Sequence, residues 1–451
     1  MRLLPGLKYL CRGISSDISG KASPVCRRLC AAQWTRACSR TSESTKESTE
    51  DSMMLKHLIS KIKSTGPISV AEYMREVLTN PVTGYYQHRD VLGSQGDFIT
   101  SPEISQIFGE LLGVWCISEW MAAGKPRTFQ LVELGPGRGT LVSDALRVFS
   151  QLRSVLKESK ISVHLVEVSP KFGDIQAQLL TEGQRLRHDP SSAIYKTGVT
   201  KTGLPISWYR DLQDVPKGFS FYLAHEFFDV LPIHRFQKTK QGWREILIDI
   251  EPKSPEKLRF VLAPHATLAS KALIQQRDDE RDQIEICPEA GVIIQNLSSR
   301  ITEDGGAALI ADYGHNGTKT NTFRGFRGHQ LHDVLTAPGT ADLTADVDFS
   351  YLRQMTEGKV TSLGPIPQHQ FLKNMGIDVR LQVLLRNATD PNTGKGLIDA
   401  YDMIMNPEKM GNRFKFFALL PYNRVLSRQD TKSMKCGPTA PPVAGFSELQ
   451  L

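Results

Sequence analysis

The stretch Phe129-Gln130-Leu131-Val132-Glu133-Leu134-Gly135-Pro136-Gly137-Arg138-Gly139 decides the fold. An apolar run ends in a carboxylate, and three glycines follow at alternating positions. Such a run bounded by glycine predicts a buried parallel strand. Downstream, Leu141, Ala145, Leu146, Phe149 and Leu152 recur at helical spacing, so a helix is expected over Thr140–Leu156. The glycines therefore fall in a strand-to-helix turn, where the missing Cβ atoms let a nucleotide-like cofactor approach the backbone. The bland alternative is a tight turn without a ligand.

Two details argue against a dinucleotide. The G-x-G-x-x-G fingerprint needs a glycine where this chain has Thr140, and the third glycine comes one residue early. Glu133 would repel a pyrophosphate, yet it suits a cofactor with an amino group and a sulfonium. Arg138 does not stand in a P-loop lysine context, which excludes a Walker site. The pattern resembles motif I of class I S-adenosylmethionine-dependent methyltransferases. That likeness implies Gly135, Gly137 and Gly139 around the methionine part of S-adenosyl-L-methionine and Glu133 at its amino group.

Outward from this motif the chain alternates strand and helix, the pattern of an α/β fold with a parallel sheet. Further strands are expected at Ile161–Val168, Pro205–Tyr209, Gly218–Ala224 and Ala307–Tyr313, with Phe414–Leu420 as a last antiparallel edge strand. Helices are expected over Lys171–Leu180, Gly291–Ile301, Val347–Met355 and His369–Asn374. Between His234 and Pro264 the apolar period falls to two, which predicts an inserted antiparallel meander of His234–Gln237, Trp243–Ile250 and Leu258–Leu262. A Gly-rich loop covers Gly314 to Gly328. Before the sheet, a helix ends at Gly66-Pro67, and a second runs from Ile68 to Leu78 with Ser69 as a candidate cap. Thr41–Ser52 reads as polar and disordered, with order beginning near Met53. Thr100, Ser101 and Glu103 make a capping-box-like helix start.

Charge divides the chain. In residues 1–40 eight Lys and Arg face Asp17 alone, which accounts for the whole formal net charge of +7. The neutral remainder argues against a nucleic-acid partner held through phosphates. The Arg- and Ser-rich, acid-poor leader has a transit-peptide composition, most like a mitochondrial one; a disordered basic tail is the alternative. No segment approaches the 18 apolar residues of a membrane span. Cys116, Cys287 and Cys436, outside the leader, have neither zinc nor disulfide spacing. We divide the chain into a transit peptide (1–45), an N-terminal helical region (46–126), a catalytic domain (127–425, with the β insertion near 234–264) and a loose tail (426–451).

Besides Glu133, three acids are candidates for the site. Glu167 ends the second strand, where doubly wound folds place an acid on ribose hydroxyls; alternatively it pairs with Lys171 or caps a helix. Glu226 and Asp229 follow the fourth strand, in His225-Glu226-Phe227-Phe228-Asp229. Two carboxylates in an aromatic setting suit a cationic acceptor such as a guanidinium. Alternatively Asp229 caps a helix, and Phe227 and Phe228 are core. Asp312-Tyr313-Gly314-His315 ends another strand on the same edge. Asp342, Asp346 and Asp348 lack the glycine and terminal glutamate of a calcium loop, so no metal site is assigned.

The set Gly84-Tyr85-Tyr86, Gly96–Glu103, Glu133–Gly139, Glu226–Asp229 with Leu231-Pro232, and Asp312–Gly314 resembles the MidA-like methyltransferase family, over about Leu55 to Leu420. This resemblance implies a class I methyltransferase fold and, for a mitochondrial matrix member, a protein arginine methyltransferase acting in respiratory complex I assembly. It implies symmetric dimethylation of an arginine in a core matrix-arm subunit, the 49 kDa iron–sulfur protein. Glu226 matches the first acid of an arginine clamp; the second has no counterpart at the usual spacing unless Asp229 serves. The rivals are a cofactor-binding assembly chaperone without chemistry and a methyltransferase for another acceptor.

Overall fold

The expected parallel sheet forms around Thr128–Leu134. The structure is a computed structural model and describes residues 44–88, 99–182, 186–274, 279–425 and 442–447. The basic leader up to residue 43 and the loop 89–98, with the first three residues of the Gly96–Glu103 motif, lie outside these. The principal strands are β1 (Thr128–Leu134), β2 (Lys160–Val166), β3 (Ile194–Val199), β4 (Pro205–Tyr209), β5 (Ser220–His225), β6 (Gly306–His315), β7 (Thr361–Pro367) and β8 (Phe414–Leu420). They lie in the order β7-β8-β6-β5-β1-β2-β4-β3, and two short strands, Arg187–His188 and Val347–Asp348, complete the ten-stranded sheet.

β6, β5, β1, β2 and β4 are mutually parallel, while β8 is antiparallel to both neighbours. Leu131, Val132, Val163 and Leu165 are fully buried, as expected of strands covered on both faces. One face packs on the helices Gln106–Ala122 and Thr140–Gln151, the other on Pro288–Asp304 and Phe349–Thr356. The first of these packings is close. A Cβ at Gly113 would stand 2.9 Å from the Ala145 Cα.

The strand order sets the site. From β1 the chain proceeds to β2 and β4 on one side, then returns to β5 and β6 on the other. Ligands in such sheets bind beyond the strand carboxyl ends at this reversal. Register aligns the ends there. Leu134 pairs with Val166 and with Ala224, and His225 with Ala311. Gly135, Glu167, Glu226 and Asp312 thus stand in one row across four strands.

Several expectations are corrected. β8 is not an edge strand, because β7 covers it; β7 (TSLGPIP) has too little apolar alternation to be read from sequence. β3 was likewise unforeseen. The helix after the glycines stops at Gln151, and a separate turn covers Arg153–Leu156. The first helix reaches back to Ser44, through the stretch expected to be disordered. Ile68-Ser69 is a strand paired with the meander, and Ser69 then caps the helix Val70–Thr79 by accepting from the Glu72 amide at 3.1 Å. Gln283–Ile286 adds a further strand to the meander. The Gly-rich loop contains Arg324–Arg327, which forms a small sheet with Gln330–His332 and Asp342–Thr344. The tail is not loose throughout. Val443 and Ala444 are buried in the core, and the Gly445 carbonyl accepts from Asn374 at 2.9 Å.

Candidate active site

A cavity of about 810 Å3 opens over the aligned strand ends and is lined by Glu133–Arg138, Glu167, Glu226, Phe227, Asp229 and Asp342 among others. The glycine turn forms its floor. Gly135, Gly137 and Gly139 have φ of +62°, +54° and +84°, the left-handed region where side chains are strained. At Gly135 space forbids a side chain as well, since a Cβ would lie 2.7 Å from Phe227 Cδ2.

Glu133 is buried under the start of the following helix, where the Val142 amide donates to its carboxylate. Its Oε2 has no partner. Burial first, then the charge of Glu167, holds its pKa well above the usual carboxylate range. Glu167 lies just past β2 rather than within it. Its Oε1 accepts from the Ser169 amide at 2.7 Å and its Oε2 from Gln176 Nε2 at 3.1 Å, bonds that differ from the alternative pairing with Lys171. Burial raises it to about 7. Gln176 was not singled out from the sequence. Its Nε2 also donates to the Gly137 carbonyl at 2.7 Å, and its Oε1 accepts from Trp208 Nε1 at 2.9 Å. One amide thus ties the glycine turn to Glu167.

On the other side of β1, Glu226 takes a left-handed φ of +48°, a conformation that costs a non-glycine residue about 1–2 kcal/mol. The strain turns its side chain into the cavity. The Ser101 amide donates to its carboxylate, and Oε1 is without a partner. His225 Nε2 stands 3.4 Å from that oxygen without a hydrogen bond. Burial holds His225 near 3, hence neutral, and raises Glu226 well above its ordinary value, with Asp229 adding to the rise. Asp229 is 2% exposed, its Oδ1 is unpartnered, and burial with Asp312 and Asp342 nearby raises it strongly.

Asp312, near the end of the neighbouring strand β6, serves the backbone rather than the cavity lining. Its Oδ2 accepts the amides of Phe227, Phe228 and Asp229 at 3.2, 2.9 and 3.3 Å, and Oδ1 that of Tyr313 at 2.9 Å. It holds the turn that presents Glu226. Phe228 is core, whereas Phe227 packs on Gly135 at the cavity wall. The capping box at Thr100–Glu103 does not form; Thr100 makes no side-chain cap, and Glu103 accepts from Thr140 Oγ1 instead. Asp342, Asp346 and Asp348 separate: Asp342 lines the cavity, Asp346 pairs with Arg324 and Lys319, and Asp348 caps the helix at Phe349.

The residues fit S-adenosylmethionine. A buried carboxylate with one unpartnered oxygen faces a glycine turn, a second acid stands one strand over, and Val168 and Leu212 supply apolar wall. Fold and site together define a class I S-adenosylmethionine-dependent methyltransferase. Residues 111–366 match the family described as putative S-adenosyl-L-methionine-dependent methyltransferases, and the chain belongs to this family. It is 65% identical over 418 residues to the rat "protein arginine methyltransferase NDUFAF7, mitochondrial", covering 92% of this chain and 95% of the relative. Its human namesake is 68% identical over 398 residues, 88% and 90% of the two chains. A fruit-fly homologue is 47% identical over 400 residues, 87% and 88%. Among solved structures, a likely methyltransferase from Burkholderia thailandensis, bound to S-adenosyl-homocysteine, aligns with TM-score 0.67 at 22% identity, over 85% of this chain and 95% of that one; it shares the fold. The basic leader and these relatives mark the protein as mitochondrial.

Proposed function

We infer that this methyltransferase modifies a protein arginine, symmetrically and twice, in the mitochondrial matrix, and that its substrate is the 49 kDa iron–sulfur subunit of complex I. The observation that carries the arginine reading is the pair of buried, unpartnered carboxylate oxygens, Glu226 Oε1 and Asp229 Oδ1, at the acceptor end of the cavity. Two buried acids side by side are costly, and Arg324, whose charge reaches Asp229, is itself bonded to Asp346; a further cation relieves the cost. The relatives' name as arginine methyltransferases supports the same reading.

When bound, S-adenosylmethionine supplies a methyl group on a sulfonium, already a good leaving group. Gly135, Gly137 and Gly139 admit its methionine part, Glu133 meets the amino group, and Glu167 takes the ribose hydroxyls. Glu226 and Asp229 hold the guanidinium plane and draw positive charge away from the nitrogen that reacts. The bound cofactor would supply the methyl carbon and leave as the neutral thioether once its S–C bond breaks, and the Glu226 carboxylate would take the proton that the methylated nitrogen gives up. Positioning and charge complementarity supply most of the rate. Incubating the protein with S-adenosylmethionine and the recombinant 49 kDa subunit tests the partner. Intact-mass analysis is expected to find two methyl groups on one arginine; an unmodified subunit refutes this substrate.

A further inference from the structure

We propose that the acceptor guanidinium is gripped from two walls, with Asp342 as the acid opposite Glu226, Thr344 beside it, and Tyr86 holding Asp342 in place. This rests on the arginine reading above and extends it to a part of the chain outside the strand-end motifs. Asp342 and Thr344 lie on one face of a three-residue strand and both line the cavity, while Leu343 between them points into the cluster formed by the N-terminal helices. Thr344 Oγ1 is buried and unpartnered, like Glu226 Oε1 and Asp229 Oδ1 in the same cavity. The oxygens left over, Glu226 Oε1 and Asp229 Oδ1 on one wall and Thr344 Oγ1 on the other, call for a ligand rich in donors. A guanidinium has five N–H donors in a planar fork and no acceptor, whereas an ammonium is a compact point with three. Arg324, whose charge reaches Asp229, is tied to Asp346 Oδ1 at 2.6 Å and to the Thr322 carbonyl at 3.0 Å.

Tyr86 joins the two ends of the cavity. Its hydroxyl donates to Asp342 Oδ1 at 2.5 Å, and its carbonyl accepts from Ser169 Oγ at 2.6 Å. The Ser169 amide in turn donates to Glu167. The second wall is therefore positioned by the residues that fix the ribose acid.

The test uses the full chain saturated with S-adenosylhomocysteine and ligand-observed NMR titration of Nα-acetyl-arginine amide, with the citrulline and lysine analogues as references. Wild type is expected to prefer the arginine probe. D342N is expected to weaken it about tenfold, the loss of one charge-assisted pair. Y86F and T344V are each expected to weaken it about threefold, the loss of one neutral hydrogen bond. S-adenosylhomocysteine affinity stays within about twofold by calorimetry in all three. If all three bind the probe as wild type does while E226Q does not, the grip is one-sided and the proposal falls, but the arginine reading stands. If wild type fails to distinguish arginine from citrulline, both fall. If D342N does not fold, Y86F and T344V decide by the same criterion.

Discussion

Asp312 Oδ2 sits 2.9 Å from the Phe228 amide and accepts two neighbouring amides as well, so one carboxylate from β6 fixes the turn that follows β5. The Glu226 side chain enters the cavity because this turn cannot relax. Replacing Asp312 by alanine leaves several amides without acceptors, and stability is expected to fall by about 3 kcal/mol. Denaturant unfolding checks this. S-adenosylhomocysteine affinity, measured on the folded variant, is expected to change less than kcat, since the turn serves the acceptor end in the proposed function.

Glu226 carries a backbone strain that glycine would not. E226G is expected to raise unfolding stability by about 1 kcal/mol, through relief of the left-handed conformation and of a buried carboxyl. Methyl transfer should be lost. A fall in stability in denaturant titrations contradicts the strain.

Gly135 and Gly124 separate space from backbone conformation. Both have positive φ, but a Cβ at Gly124 meets nothing within 4 Å, whereas at Gly135 it meets Phe227. G124A is expected to cost only the backbone term, about 1–2 kcal/mol, with cofactor affinity intact. G135A is expected to cost about 1–3 kcal/mol more through overpacking, and to displace Phe227 and weaken S-adenosylhomocysteine binding. Thermal unfolding and calorimetry read both.

Glu167 gives a pH dependence with a defined sign. Its folded pKa is raised to about 7, above the usual carboxylate range, so the ligand-free protein binds that proton more tightly than the unfolded chain. Its contribution to stability is full below about 4.5 and is lost as pH rises to about 7. On the proposed ribose-binding role, hydroxyls donating to the ionised form reverse the preference. Cofactor binding should therefore release a proton, and affinity should rise with pH between about 5 and 7, by at most tenfold per unit. Calorimetry in buffers of different ionisation enthalpy measures this. E167Q should bind more weakly and lose that part of the slope; an unchanged slope rules out Glu167 as its source.

The sequence showed the half of the site that lies on strand ends and concealed the half that depends on distant pairing. β1 and its glycines were legible because an apolar run and positive-φ positions are local features. Register then brought Glu167 and Glu226 to it. Tyr86 and Asp342 are 256 positions apart, and no local period connects them. Asp342 belonged to a string of spaced acids whose three members take three unrelated roles. Gln176 looked like an ordinary helix residue, since its value lies in reaching both Gly137 and Glu167. β7 and β3 escaped notice because short, half-polar strands carry little alternation.

The most direct test transfers labelled methyl groups from S-adenosylmethionine to mitochondrial matrix proteins, with wild type and E226Q side by side, followed by hydrolysis and amino-acid analysis. Label is expected in symmetric dimethylarginine with wild type, and to fall at least about a hundredfold with E226Q, as when a group acting in the transition state is removed. Label on another amino acid, or transfer by E226Q at the wild-type rate, contradicts an arginine site built on Glu226.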